Sequence, residues 1–407
     1  MDHRLIRGIE KALGWSDING LGRCFTRGAL TDHDLCGRIL TPMRLLDLVM
    51  RRSVLPPQLR CFQNGSELHP NSYLSLPTTR RGQAVPMVNM ERLGNLIRSG
   101  CTLVLDALNQ FDPTMEIACR ALQWWSHEAV QVNAYLTTQE TVGFALHWDD
   151  HDVIVVQLAG DKDWEIRSPS RAAPMYRDTA PNLKPSDQII WSGTLQTGDV
   201  LYIPRGHWHQ ATRSGRGKGF SLHVTFGLVK RTGVDWLAWL ADHSRQEELF
   251  RQDLDRWGAG EGHQDQARAL AEAASHLLAS FSPSNFLIAR EQEHLPSRHL
   301  ATWGIFGPVS IVVCVTEFKP VFDTDSDVIV IRAAGKKITF RMESLPALRI
   351  LLSGLPADLN YVSSTTGIDA ARLANVLLQE GICAEVTPEL SSGYTGLAMH
   401  ENFLKQL

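Results

Sequence analysis

The stretch HWDDHDVIVVQLAGDKDW, residues 147–164, decides how this chain is read. It opens on a cluster of metal-capable side chains, continues as an apolar run, and closes on a lysine set between two aspartates. A short apolar run bounded by Asp and Gly has the texture of a strand buried on both faces. Around it lie VQVNAYL, VGFALHW, WEI, DVLYIP and FSLHVTFGL, each with strand character and each bounded by Gly, Pro, Asp or Ser. Many short strands packed between residues 130 and 230 predict a sandwich or barrel, of which the jelly roll is one form.

Within that barrel, His147 and Asp149 stand two apart in a segment of strand texture, so both side chains are expected on one face. A lone His-Xaa-Asp is common in exposed turns and carries little by itself. The distal element GDVLYIPRGHWHQA is more specific, because a Pro and a Gly with special backbone geometry precede a candidate ligand, His209. Two imidazoles and one carboxylate form the facial triad that binds Fe(II) and leaves coordination positions open. Spacing alone leaves His207 and His209 both eligible.

The rest of the chain frames this centre. Its 407 residues are 43% hydrophobic and 21% charged with a net charge of -4, an ordinary globular composition without the large positive field that attracts nucleic acid or anionic lipid. Seven scattered cysteines, odd in number and never in a CxxC pair, fit reduced thiols better than a disulfide framework or a zinc site. MDHRLIRGIEKALGW lacks the apolar stretch of a signal peptide, and no window is long enough for a membrane span, so a cytoplasmic location is expected. LTPMRLLDLVM and VNMERLGNLIRSG predict helices, the second stopped by Gly100, and CTLVLDAL predicts a strand. After Gly227 the period turns helical in VDWLAWLADHSRQEELFRQDLDRW and DQARALAEAASHLLASF, with GAGEG as a breaker; a face this rich in Leu, Trp and Phe suits self-association. From about 320, DVIVIR and KKITF predict paired strands around AAG. Beyond them, two helices joined by a turn at Gly367 and followed by a strand resemble a winged helix.

Taken together, HWDDHDVIVVQLAGDKDW, GDVLYIPRGHWHQA and SLHVTFGL resemble the JmjC-type ribosomal oxygenases, 2-oxoglutarate and Fe(II) dependent hydroxylases built on a cupin-like jelly roll. The likeness runs from LRCFQNG through LVLDAL and VNAYLT, and the later segments match the family's domain order. It implies a mixed α/β chain: a double-stranded β-helix domain with an N-terminal elaboration over 1–231, a helical dimerisation domain over 232–318, and a winged helix over 319–407. The metal ligands it implies are His147, Asp149 and His209, with His207, Asp150, His151 and Asp152 outside the triad; His151 is assigned a supporting hydrogen bond. It implies Lys162 as the cation that neutralises the distal carboxylate of 2-oxoglutarate, with Asp161 and Asp163 sent to the opposite face by strand alternation. Asn133 and Thr225 match positions that hydrogen-bond the co-substrate, Tyr135 shares the face of Asn133, and Trp148 and Trp164 are expected to be packing residues.

The cofactors implied are Fe(II), 2-oxoglutarate and O2, and the reaction implied is hydroxylation with release of succinate and CO2. The substrate implied is a polypeptide, with β-hydroxylation of an Arg or His in a ribosomal protein as the family's best-known reaction. A biosynthetic peptide, an N-methyl-lysine, and a non-enzymatic cupin-type binding role are the competing expectations. Loop 212–219, TRSGRGKG, is basic and Gly-rich beside His209, which suits an acidic or RNA-associated surface, and a flexible solvated loop is the expected reading. Residues 321–407 hold seven Lys or Arg against ten Asp or Glu, a poor balance for docking on DNA, so a protein-contact or structural role is expected of that module.

Overall fold

A computed structural model describes the whole chain except residues 33, 176–183, 258–260, 294–297, 303 and 399–407. The chain groups into two compact units: residues 1–229 with 299–315 and 343–407, and residues 230–298 with 316–342.

The first unit is built on β1 (Thr26–Ala29), β2 (Leu59–Gln63), β3 (Ser66–Glu67), β4 (Leu74–Ser75), β5 (Met87–Val88), β6 (Thr102–Leu105), β7 (Ala129–Thr138), β8 (Asp152–Gly160), β9 (Lys162–Arg167), β10 (Ile189–Leu195), β11 (Asp199–Ile203), β12 (Trp208–Thr212) and β13 (Phe220–Val229). An eight-stranded sheet runs β1-β11-β8-β13-β7-β6-β2-β3, and a three-stranded sheet runs β10-β9-β12, with antiparallel pairing throughout both.

Residue parity explains how the two sheets form one barrel. In β8, Ile154, Val156 and Leu158 join a large core with Leu5, Ile9, Leu45 and Leu122 from the helices, whereas Val153 and Val155 pack with Trp164, Ile166 and Leu195 of the smaller sheet. β11 divides the same way, Val200 and Tyr202 outward, Leu201 and Ile203 inward. The apolar run of β8 is therefore a central strand between two layers, and its every residue is covered on one side or the other. On β7 and β13 the outward set is Val130, Val132, Ala134, Leu136, Leu222, Val224, Phe226 and Leu228. Strand geometry then sends Asn133, Tyr135, Thr137, His223 and Thr225 into the barrel. The inward face of these two strands is polar, which a pure packing face would not be.

The outer layer comes from α1 (Arg4–Leu13), α2 (Asp34–Ile39), α3 (Pro42–Arg51), α4 (Met90–Ser99) and α5 (Pro113–Ser126). α5 begins on Asp112, whose carboxylate accepts from the amide of Met115 at 3.0 Å, with Pro113 at the first helical position, a start signal in DPTM. As expected, α4 ends at Gly100, in a positive-φ conformation.

Two expectations need correction. VGFALHW is not a strand: between β7 and β8 it makes only isolated bridges, Val142 to Thr212 and His147 to His209. The strand over Ile189–Leu195 carried no clear signal, because as an edge of the smaller sheet it exposes both Ile189 and Ile190.

Also in this unit, β14 (Ile311–Cys314) pairs with β18 (Ala357–Asp358) and β19 (Cys383–Glu385), beside α10 (Leu345–Leu351), α11 (Leu359–Thr366), α12 (Ala370–Gln379) and α13 (Pro388–Tyr394). α11 ends on Gly367 in the left-handed conformation and α12 follows from Asp369 as N-cap, the helix pair read at the turn. α13 lies so close to α5 that a Cβ at Gly393 would come within 2.7 Å of the carbonyl of Pro113.

The second unit holds α6 (Gly233–Ser244), α7 (Glu248–Arg251), α8 (Glu261–Ser280) and α9 (Pro283–Glu291), with the meander β15 (Val321–Thr324), β16 (Val328–Ala333) and β17 (Lys336–Arg341). Trp236 donates from Nε1 to the carbonyl of Phe281 at 2.9 Å, and Trp239 packs on His243, Phe281 and Phe286. The AAG turn between β16 and β17 places Ala334 and Gly335 at positive φ, the geometry a tight hairpin demands. The first residues of the GAGEG break lie outside the described residues. Strands and helices beyond 319 thus divide between the two units, so compactness does not follow the boundaries at 231 and 318. None of the seven cysteines, all of them described, forms a disulfide, and among the described residues no helix is long and apolar enough to cross a membrane.

Candidate metal centre

His147, Asp149 and His209 offer ligand atoms that all lie within 4.8 Å of one another. His147 and His209 face each other across a two-point bridge: the His147 amide donates to the His209 carbonyl at 3.1 Å, and the reverse bond is 2.7 Å. Their rings are 4.4 Å apart, and His209 Nε2 lies 3.5 Å from Asp149 Oδ2. Asp149 is on the irregular turn before β8 rather than on a strand. Its carbonyl accepts from the amide of Gly206 at 2.9 Å. That bond explains PRG: Gly206, at φ +83°, turns the chain so that the distal ligand element grips the proximal one.

Both imidazoles are oriented by their backbones. His147 Nδ1 is 2.8 Å from the carbonyl of Ala145, and His209 Nδ1 is 3.0 Å from that of His207. A nitrogen held by a carbonyl carries the proton, so Nε2 keeps its lone pair for an ion. Burial, followed by the nearby His147, holds His209 down to about 4, which keeps the ring neutral. Two imidazoles and one carboxylate whose ligand atoms converge fit a divalent transition metal.

The neighbouring polar residues do other work. His207 Nδ1 is taken by the Pro204 carbonyl at 3.0 Å, and His207 is not part of the cluster. Asp152 faces out of the barrel, accepting from Tyr202 Oη at 2.7 Å and from the Arg205 amide at 2.9 Å. His151 sits 3.3 Å from Asp150 and leans over Gly227, where a Cβ would come within 2.8 Å of its Nε2.

Behind the three ligands a cavity runs into the barrel, lined by Tyr135, Phe144, Val153, Val155, Lys162, Trp164, Ala211, His223 and Thr225. Lys162 is 1% exposed, and its ammonium donates to Thr137 Oγ1 at 3.0 Å, with no carboxylate partner among the described residues. Burial, with a smaller push from Arg213, lowers its pKa to about 7. Asp161 and Asp163 do take the other face. Asp161 pairs with Arg213 and Arg216 at 2.9 Å each, and Asp163 pairs with Arg216, which holds its carboxyl below the usual range. This corrects the reading of loop 212–219: Arg213 is buried and Arg216 is bound, so most of that loop's charge is used inside the protein.

Thr225 lines the cavity, paired across the sheet with Asn133. The Asn133 side-chain carbonyl accepts from the amide of Ala107 at 2.9 Å, and Asn133 is not among the lining residues. Trp164 packs in the core of the smaller sheet, as expected, and also forms part of the cavity wall. Sequence reasoning misses His223, although its parity with Thr225 in HVTFG places it on the inward face.

A small barrel of two antiparallel sheets with a His-Xaa-Asp and a distal His at its open end defines a cupin-like protein with a candidate metal centre. Residues 108–234 match the model of the JmjC domain family, and this stretch of the chain is a JmjC domain. Over 135 residues the chain is 32% identical to the bifunctional lysine-specific demethylase and histidyl-hydroxylase NO66 of Drosophila mojavensis, covering 32% of this chain and 15% of that protein. Over 145 residues it is 37% identical to the NO66 of Brugia malayi, covering 33% and 19%. The match therefore spans less than a quarter of these curated relatives. Among solved structures, the Escherichia coli protein ycfD aligns over 90% of this chain and 95% of its own, with a TM-score of 0.52 at 14% identity. The ribosomal oxygenase YcfD from the same organism, in complex with cobalt and 2-oxoglutarate, aligns over 85% and 90%, with a TM-score of 0.51 at 16% identity. At such identities the likeness is one of fold.

Proposed function

We propose that this protein is a 2-oxoglutarate- and Fe(II)-dependent oxygenase that hydroxylates a side chain of a polypeptide, releasing succinate and CO2. One observation carries the reading: a His147, Asp149, His209 cluster lines a cavity together with a buried lysine that has no carboxylate partner among the described residues. Iron held by the three ligands would supply the oxidising chemistry, with electrons drawn from decarboxylation of the co-substrate. The residues of the chain do the positioning. The carbonyls of Ala145 and His207 fix the ligand imidazoles, and Lys162, steadied by Thr137, neutralises a carboxylate that would otherwise be stranded in an apolar barrel. Val153, Val155 and Trp164 keep water from that end, and Thr225 offers a hydroxyl, while Asn133, bonded to the Ala107 amide and to the Tyr135 side chain, would act on the co-substrate by positioning Tyr135.

The finer reading is β-hydroxylation of an Arg or His in a ribosomal protein, in keeping with the fold shared with YcfD, a ribosomal oxygenase. The names of the curated relatives support a second reading, N-methyl-lysine demethylation at the same centre. A biosynthetic peptide remains the alternative hydroxylation target. Functionally, we assign catalysis to 1–231, self-association as a homodimer to 232–318, and a winged-helix role in protein contact without DNA binding to 319–407, in a cytoplasmic protein. Support for the last module comes from α11, its Gly367 turn, α12 and the short sheet beside them.

The test is mass spectrometry of candidate proteins and peptides incubated with enzyme, iron and 2-oxoglutarate. A +16 Da product with succinate is expected, and a loss of 14 Da from a methylated lysine would select demethylation. His209→Ala is expected to abolish Mn(II) binding and turnover while His207→Ala retains Mn(II). The reverse pattern would remove His209 from the centre.

A further inference from the structure

We infer that His223 is a co-substrate-binding residue, donating a hydrogen bond to the carboxylate that Lys162 neutralises. This rests on the oxygenase reading and adds to it a residue and a division of labour. His223 is 3% exposed, lines the cavity, and lies two residues before Thr225 on the inward face of β13. Its ring is parallel to Tyr135 at 4.7 Å, with 5° between planes, and meets Trp164 at 5.3 Å and 72°. Stacking on one side and an edge contact on the other fix its plane.

Its polar edge is free by contrast. His147, His207 and His209 each have Nδ1 tied to a backbone carbonyl, whereas Nδ1 of His223 is buried with no partner among the described residues. Trp164 Nε1, on the same cavity wall, is also buried and unpartnered. A buried polar atom left unpaired costs stability, so native folds rarely keep one, and two of them beside a lysine make a wall suited to an anion. Burial and the charge of Lys162 hold His223 neutral, leaving one N–H to give. The ligand such a wall fits is a single carboxylate: one cation supplies the charge, and neutral N–H groups supply direction. Tyr135 and Trp164 orient the imidazole, and the imidazole orients the carboxylate.

The test compares wild type with His223→Phe, which keeps the aromatic stack and removes both nitrogens. Binding of 2-oxoglutarate, and of 2-oxobutyrate, which lacks the distal carboxylate, is measured by calorimetry on Mn(II)-loaded protein. Loss of a hydrogen bond to a charged group weakens binding by roughly tenfold or more, so His223→Phe is expected to lose at least that for 2-oxoglutarate. Mn(II) affinity and 2-oxobutyrate affinity are expected to stay at wild-type values. Unchanged 2-oxoglutarate affinity in His223→Phe would overturn the inference while leaving the oxygenase reading standing. Equal losses for both oxo acids would also overturn it, because the defect would then lie at the metal end. Wild-type protein that holds Mn(II) but takes no 2-oxoglutarate would instead overturn the oxygenase reading itself.

Discussion

Lys162, as the proposed anchor of the co-substrate carboxylate, would trade stability for binding. Its ammonium is buried beside a hydroxyl and no anion, so the ligand-free fold carries a desolvation penalty that a bound carboxylate would offset. Below pH 7 both folded and unfolded chains hold the proton, and the folded state bears the full penalty. Between about 7 and the ordinary value of 10.5 the folded chain sheds the proton first, and the penalty fades as pH rises. Lys162→Met is therefore expected to stabilise the ligand-free protein by about 1–4 kcal/mol at pH 6, with the gain shrinking toward pH 10. It is also expected to abolish 2-oxoglutarate binding. Thermal melts across pH with parallel titrations check both halves, and a destabilised variant at pH 6 would contradict the account. In the sequence, Lys162 is legible from alternation against Asp161 and Asp163, whereas the arginines that neutralise those aspartates are not, because about 50 residues separate the partners.

At the scale of elements, the turn at Gly206 joins the two halves of the centre. Alanine there must adopt φ near +83°, and its Cβ would meet Pro174 Cδ at 2.5 Å. Gly206→Ala is expected to cost about 1–3 kcal/mol in stability. Displacing the amide that holds the Asp149 carbonyl should also weaken Mn(II) binding, measured by chemical denaturation and metal titration. The tripeptide PRG announces this turn by composition alone. Strands β7, β8, β11 and β13 are equally legible, since each alternates between two well-defined apolar environments or lies buried between them. VGFALHW misleads because its apolar residues are held by only two bridges and then give way to the ligand turn. β12 is polar in WHQAT, and it is the PRG turn before it that marks His209 as the start of the next stretch of sheet.

For the whole molecule, the question is what covers the second unit. α6 exposes Val234 and Leu237, and α9 exposes Leu287 and Ile288, an apolar surface that suits a second copy. Light scattering is expected to give about twice the 45.4 kDa protomer mass, falling to one protomer in a Leu237→Glu, Ile288→Glu double variant. A wild-type mass near one protomer would remove the dimer. Within the first unit, the bond from Gly206 to Asp149 and the bridge between His147 and His209 draw the three ligands together through backbone hydrogen bonds alone. As the proposed metal centre, the barrel would be a preorganised chelator: the entropic cost of gathering its donors is met when the strands pair, so metal exchange would need no refolding.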